Sequence, residues 1–224
     1  MKLEKIKVAI DSPAASGAGT ISKMLAKHYN LLYCDTGKIY RFLAYKIMQK
    51  KTGNKIKFLR RISKQINLKK LKNKNLLNDK VAYKASQVAK DPKVRKLVIK
   101  FQKNIAYNPP GKYNGSVLDG RDICSVVIPD ADIKLYVTAE VKIRARRRFK
   151  ELKKLGKKVN FNEILKSMRK RDRDDRTRAH SKLKKTKDSY LINTTNLSIK
   201  SSFLKVKIIM DQKLKEYGRK YKPK

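Results

Sequence analysis

Ile6-Lys7-Val8-Ala9-Ile10-Asp11-Ser12-Pro13-Ala14-Ala15-Ser16-Gly17-Ala18-Gly19-Thr20 decides the fold of this chain. Its first five residues are a short β-type run. Small residues follow, and then Ile21, Met24, Leu25 and His28 recur at helical spacing. Strand, small-residue loop and helix, followed by a second short strand at Leu31–Cys34, is how an α/β fold with a parallel sheet begins. The loop has the layout of a phosphate-binding loop, G-x-x-x-x-G-K-[ST]. Small residues let backbone N–H groups turn inward around a phosphate, and the helix starting near Gly19 adds the positive end of its dipole. Thr20 offers a hydroxyl for Mg²⁺. Ser12 stands where the motif has its first glycine, and Ala18 where it has its lysine. Taken alone, the stretch also reads as a strand-to-helix turn with no ligand.

The rest of the chain continues the pattern. Ile39, Phe42, Leu43 and Ile47 mark a helix after Asp35-Thr36-Gly37. Residues 50–80 are rich in lysine and asparagine, with apolar islands at Phe58-Leu59 and Leu76-Leu77, and read as a small, partly irregular insert. Val81–Phe101 is helical with a break at Asp91-Pro92. Ser116–Leu118, Ile133–Val137 and Tyr190–Ile192 are further strands. Ala139–Leu155 is a very basic helix stopped by Gly156. Asn160 caps the next one, with Glu163 in the capping-box position and Phe161, Ile164, Leu165 and Met168 on its apolar face. The last helix carries Phe203, Val206, Met210, Leu214 and Tyr217 at core spacing.

Composition excludes several classes. The 224 residues hold 60 Lys+Arg against 18 Asp+Glu, a formal net charge of +42. A balance this basic raises nucleic acid or an anionic membrane as partner. Yet 45 of the basic residues are lysines spread along every helix and into Lys220, Lys222 and Lys224; only Arg144–Arg148 is a dense block. That distribution fits compositional bias better than a binding groove, leaving weak, non-specific nucleic acid binding as the expectation. A hydrophobic content of 40% supports a core. Cys34 and Cys124 form no CxxC pair, and His28 and His180 are too few for zinc. No apolar run approaches the roughly 20 residues needed to span a bilayer. The start of the chain lacks a signal-peptide core, so no membrane association and a cytoplasmic location are expected.

Several segments, in order, resemble one family. Asp11–Thr20 followed by Tyr33-Cys34-Asp35-Thr36-Gly37-Lys38-Ile39-Tyr40-Arg41 resembles the opening of bacterial cytidylate kinases. Ser86-Gln87-Val88-Ala89, continuing to Pro92-Lys93-Val94-Arg95, resembles their S-Q-V-A…P-x-V-R helix. Leu118-Asp119-Gly120-Arg121-Asp122-Ile123, then Val126–Ala131, is similar to their D-G-R-D segment. Arg144–Arg148 with Val159-Asn160-Phe161 matches the lid region, Arg171–Arg178 the R-D-x-x-D-R-x-R run, and Thr194–Ile199 the T-T-x-L-S-I before the last helix.

The resemblance implies an α/β P-loop kinase: a three-layer sandwich with a five-stranded parallel sheet, a small acceptor-binding insert and a short lid. It implies a single domain with its core at 1–37, 115–146 and 161–224, the insert at about 38–114 and the lid at about 147–160. It also implies a monomer that transfers the γ-phosphoryl of ATP, with Mg²⁺, to CMP and dCMP. By the same resemblance Ser12–Thr20 and Arg148 bind ATP, and Thr20 and Asp35 serve the metal. Arg41, Arg121, Arg171 and Arg178 are the catalytic arginines on the phosphates. Thr36, Ser86, Arg95 and Asp122 lie at the nucleobase, and Asp175 meets the ribose beside Arg171.

Plainer roles stand beside these. Asp35 is also a turn-former, Asp122 a cap, Ser86 a helix-surface hydroxyl, and Arg171, Asp175 and Arg178 an ordinary charge ladder at i, i+4, i+7. Cys124 reads as a packing residue. Ala18 leaves three outcomes: an inactive relative that binds nucleotide or nucleic acid, a slow enzyme, or an active one whose missing charge comes from Lys23 or from Arg144, Arg146, Arg147 or Arg148. Retention of the whole acceptor set favours activity.

Overall fold

A computed structural model describes residues 5–50, 54–216 and 218. The expected core position of Tyr217 and the lysines at 220, 222 and 224 lie outside the described residues. Five parallel strands form one sheet: β1 (Ile6–Asp11), β2 (Leu31–Asp35), β3 (Gly115–Gly120), β4 (Ile133–Thr138) and β5 (Tyr190–Asn193). Their spatial order is β2-β3-β1-β4-β5. The central strand, β1, is buried at nearly every position, as a strand covered on both faces must be.

Two apolar layers cover the sheet. On one face Val8, Ile10, Val117 and Leu135 meet Ile21 and Leu25 of α1 (Ala18–His28) and Val206, Met210 and Leu214 of α8 (Ile199–Glu216). On the other face Ala9, Cys34 and Leu118 meet α2 (Thr36–Gln49), α4 (Asp79–Val88) and α5 (Pro92–Tyr107). This is the expected sandwich with its five-stranded parallel sheet.

The lysine-rich stretch is more ordered than its composition predicts. It contains α3 (Lys55–Ser63), which buries Leu59 and Ile62, and two 3-10 turns at Lys70–Lys72 and Lys74–Leu77, which bury Leu71 and Leu76. Pro92 opens α5 behind an Asp91 cap, which explains the break in the helical pattern. On the far side, α6 (Val141–Lys154) ends before Gly156 at φ +72°, and α7 (Phe161–Thr177) starts from Asn160, whose side chain accepts from Asn162 N and Glu163 N. Phe149 and Phe161 meet edge to face across these two helices. Among the described residues no helix is long and apolar enough to cross a membrane.

Candidate active site

The carboxyl ends of β1, β2 and β3 open into one cavity of about 830 Å³. Parallel α/β sheets bind their ligands at this end, where loops leave the strands in opposite directions. Every residue from Ser12 to Thr20 lines it. The loop is tied at its start by Ser12 N donating to Gly120 O (3.1 Å). Ala15 at φ 58° and Gly17 at φ 95° take the left-handed turns that swing the backbone round into α1. Glycine suits such geometry; Ala15 adopts it with a methyl group. α1 has no acidic residue in its first turn, so no carboxylate of that turn offsets the positive end of its dipole, as an anion site requires.

Ser16 is the loop's anchor. Its carbonyl accepts from Thr194 Oγ1 (2.7 Å) and Arg147 Nη1 (3.3 Å). Arg147 also donates to Thr194 Oγ1 and O. Arg144, almost fully buried, donates to Ala14 O (3.1 Å) and forms a bidentate pair with Asp172. These two arginines therefore hold the loop's backbone. Arg148 is not part of the cavity lining: it pairs with Glu151 on the face of α6 (2.8 Å).

The next wall is acidic. Asp35 ends β2 and Asp119 lies opposite it in register on β3. Asp35 caps α2 by accepting from Lys38 N (3.2 Å), so its turn-forming role is present alongside its place in the cavity. Asp119 is buried and accepts from Tyr33 Oη (3.1 Å). Burial and the Asp35 charge push its pKa up to about 8. Gly19 gives this wall its room, since a Cβ there would lie 3.3 Å from Asp119 Oδ2. Thr20 is exposed at the rim.

The far end holds most of the arginines. Arg95 Nη1 donates to Asp122 Oδ2 (2.8 Å) and to Tyr40 Oη (3.2 Å), the Arg95 and Asp122 side chains being largely buried. Thr36 Oγ1 donates to Asp119 O (2.7 Å), Arg41 Nη1 to Leu76 O (2.9 Å) and Ser86 Oγ to Tyr83 O within its own helix (2.7 Å). All four donors line the cavity together with Asp122. Arg121 Nε donates to Asp175 Oδ2 (2.9 Å). Burial works against Asp175's charge, but Arg121 and Arg171 outweigh it and hold the carboxyl below its usual range. Arg171 has a buried Nε with no partner, and burial beside Arg121 lowers its pKa to about 10.

The ladder differs from its expected form in one respect. Arg171 and Asp175 share a face of α7, but the helix ends at Thr177, and Arg178 lies just beyond it in extended backbone, donating to Ser181 O and 3.6 Å from Asp175 Oδ1. The three still line one wall.

The sequence reading missed the roles of Asp119, Tyr33 and Thr194. For Asp119 a signal existed: an acidic residue closes each of two adjacent parallel strands. Cys124 is buried in a π-helical turn (Ile123–Val127), its Sγ 3.6 Å from Ala9 O, which is packing. His28 packs edge-on against Tyr29 and Phe203.

Comparison with known proteins gives the family. The family model "Cytidylate kinase" matches residues 8–212. The cytidylate kinase of Bartonella henselae is 41% identical over 93% of this chain and 95% of its own length, and that of Mesorhizobium japonicum is 41% identical over 92% and 94%. A crystal structure of an uncharacterized protein from Eubacterium ventriosum shares the fold, with a TM-score of 0.53 at 16% identity over 92% of this chain and 99% of that one. A sheet with phosphate loop and arginine wall at its carboxyl end, and a family match across nearly all the residues that build them, lead to one conclusion: the chain belongs to the cytidylate kinase family.

Proposed function

We propose that this chain transfers the γ-phosphoryl group of ATP to CMP and dCMP, producing ADP and CDP or dCDP. The observation that carries this reading is the buried Arg95–Asp122 pair at the end of the cavity away from the phosphate loop. A carboxylate there accepts from the exocyclic amine of cytosine, which uracil lacks. Ser86 lines the same end. Asp122 keeps its Arg95 partner with either base, but uracil would turn a carbonyl oxygen toward the carboxylate, acceptor against acceptor, and that cost selects cytosine.

The remaining walls suit phosphoryl transfer, which is mainly positioning and charge neutralisation. Residues 12–20 and the start of α1 cradle the donor phosphates. Arg41 and Arg121 take the acceptor phosphate, Arg171 and Arg178 the charge between donor and acceptor, and Asp175 the ribose. Arg148 stands close enough to Arg171 to lower its pKa and reaches the donor by movement of the α6–α7 tip.

Among the described residues no cluster of three acidic, histidine or cysteine side chains forms a cage for a metal. The Asp35 carboxylate, the Asp119 carboxyl and the Thr20 hydroxyl nevertheless fit Mg²⁺, which binds through one or two carboxylates with waters and phosphates and would displace the proton that burial keeps on Asp119. When bound there, the ion neutralises oxygens of the triphosphate. We further propose the insert at about 38–114 and the tip at about 147–160 as the parts that close over the substrates and exclude water.

Ala18 favours a second reading, a nucleotide-binding relative with little catalysis. An ADP-coupled assay with CMP, dCMP and UMP separates the two. Turnover with CMP and dCMP, and far less with UMP, is the expected result. No CMP turnover above background at high enzyme concentration overturns the kinase reading.

A further inference from the structure

A phosphate loop without its lysine lacks the one mobile cation that follows charge from donor to acceptor. The structure narrows the replacements. Arg144 is committed to Asp172 and Ala14 O, and Arg147 to Ser16 O and Thr194. Arg146 is exposed and outside the cavity lining, and Arg148, paired with Glu151, reaches the donor only if the α6–α7 tip moves. Lys23 differs from all of these. It lines the cavity, is exposed, and among the described residues has no hydrogen-bond or ion-pair partner of its own. It lies four residues after Gly19 and three after Thr20 on α1, so the three share one helix face.

Helical side chains lean toward the N-terminus. Along that path Gly19 contributes no side chain, so the lysine stem can lie back over the first turn, between Thr20 and the Tyr33–Asp119 pair. A butylammonium placed there brings its charge to the end of the helix that cradles the donor.

We infer that Lys23 supplies the cation that Ala18 removes, contacting the β- and γ-phosphates of ATP from the second turn of α1. The inference rests on the kinase reading above. In the transfer, the bond from the γ-phosphorus to the β-bridging oxygen breaks, and its electron pair leaves with ADP. A CMP phosphate oxygen forms the new P–O bond. The lysine stays protonated throughout and balances charge without exchanging a proton.

The test is a double-mutant cycle of Lys23→Met and Ala18→Lys. Lys23→Met lowers kcat/KM for ATP by about 100-fold, the scale of one lost transition-state charge contact, while CMP affinity holds. Lys23→Arg keeps most of the activity. Ala18→Lys gains at least about tenfold more in the Lys23→Met background than in the parent, because the two cations serve one site. Lys27→Met, an exposed lysine of the same helix outside the cavity, controls for net charge. A Lys23→Met enzyme within about threefold of the parent, or equal gains from Ala18→Lys in both backgrounds, overturns the inference.

If the parent itself shows no turnover, the kinase reading fails on its own, and calorimetry with Mg·ATP decides Lys23. About tenfold weaker binding by Lys23→Met than by the parent upholds a phosphate contact, and equal binding ends it.

Discussion

Asp11 has no exposed surface, yet it is an acid. Its two oxygens accept the N–H groups of Ile123 (2.7 Å) and Cys124 (2.9 Å), so the last residue of β1 fastens the turn that follows Arg121 and Asp122. Burial outweighs those bonds and raises its pKa from 3.8 to about 6. A carboxyl whose folded pKa is raised contributes its full stability below the unfolded value and loses it as pH climbs through the folded one. Between pH 4 and 7 the parent should therefore lose about 2 kcal/mol from this group. Asp11→Asn has no such titration. Whatever the variant costs at pH 4 through the amide facing a second N–H donor, its gap to the parent should narrow by about that amount at pH 7, in urea unfolding at both pH values. At this scale the sequence was informative where chemistry is local. The loop from Ser12 to Thr20 announces itself because only small residues can turn the backbone inward. Asp122 and Arg95 were legible only by resemblance, and the burial that makes Asp119 an unusual acid comes from the strand beside it, which no local pattern reports.

Among the elements, the contact of β1 with β3 holds together the strand ends that line the cavity, and Gly115 is a tight point in it. In register with Ile6, a Cβ at Gly115 would sit 2.0 Å from Ile6 O and 2.7 Å from Ile6 N. Backbone cannot yield as a flexible side chain does. Gly115→Ala should therefore cost at least about 3 kcal/mol, the upper part of the overpacking range, read as a fall in the urea midpoint. The strands and α1, α2, α7 and α8 were legible because their apolar periods are clean. α3 was not: five of its nine residues are basic or polar, so its mean hydropathy is low although Leu59 and Ile62 are buried. Lysine and arginine stems cover apolar surface while their charges stay in water, and composition counts only the charges. The arginine run of α6 shows the same difficulty. Arg144 and Arg147 hold the phosphate loop while Arg146 faces solvent, and only the helix phase relative to Asp172 and Thr194 separates them.

For the whole molecule, the +42 charge is a long-range field rather than a site. Such a field raises the local concentration of anionic nucleotides and is screened within about 10 Å at 0.1 M salt. Raising salt from about 0.05 to 0.3 M should increase KM for ATP several-fold and change kcat by less than about twofold, because the groups at the reacting phosphates are partly shielded from solvent. The same salt range should abolish binding to single-stranded RNA, measured by fluorescence anisotropy. The tie between Ser16 and Thr194 has a different reach. It joins residues 178 positions apart, and Arg147 joins the same knot from between them. During synthesis the phosphate loop emerges early, and the hydroxyl that fixes its carbonyl emerges only after β4, α6 and α7. A nascent chain therefore carries this loop untied through most of translation, and on the proposed function affinity for ATP would be among the last properties the growing polypeptide acquires.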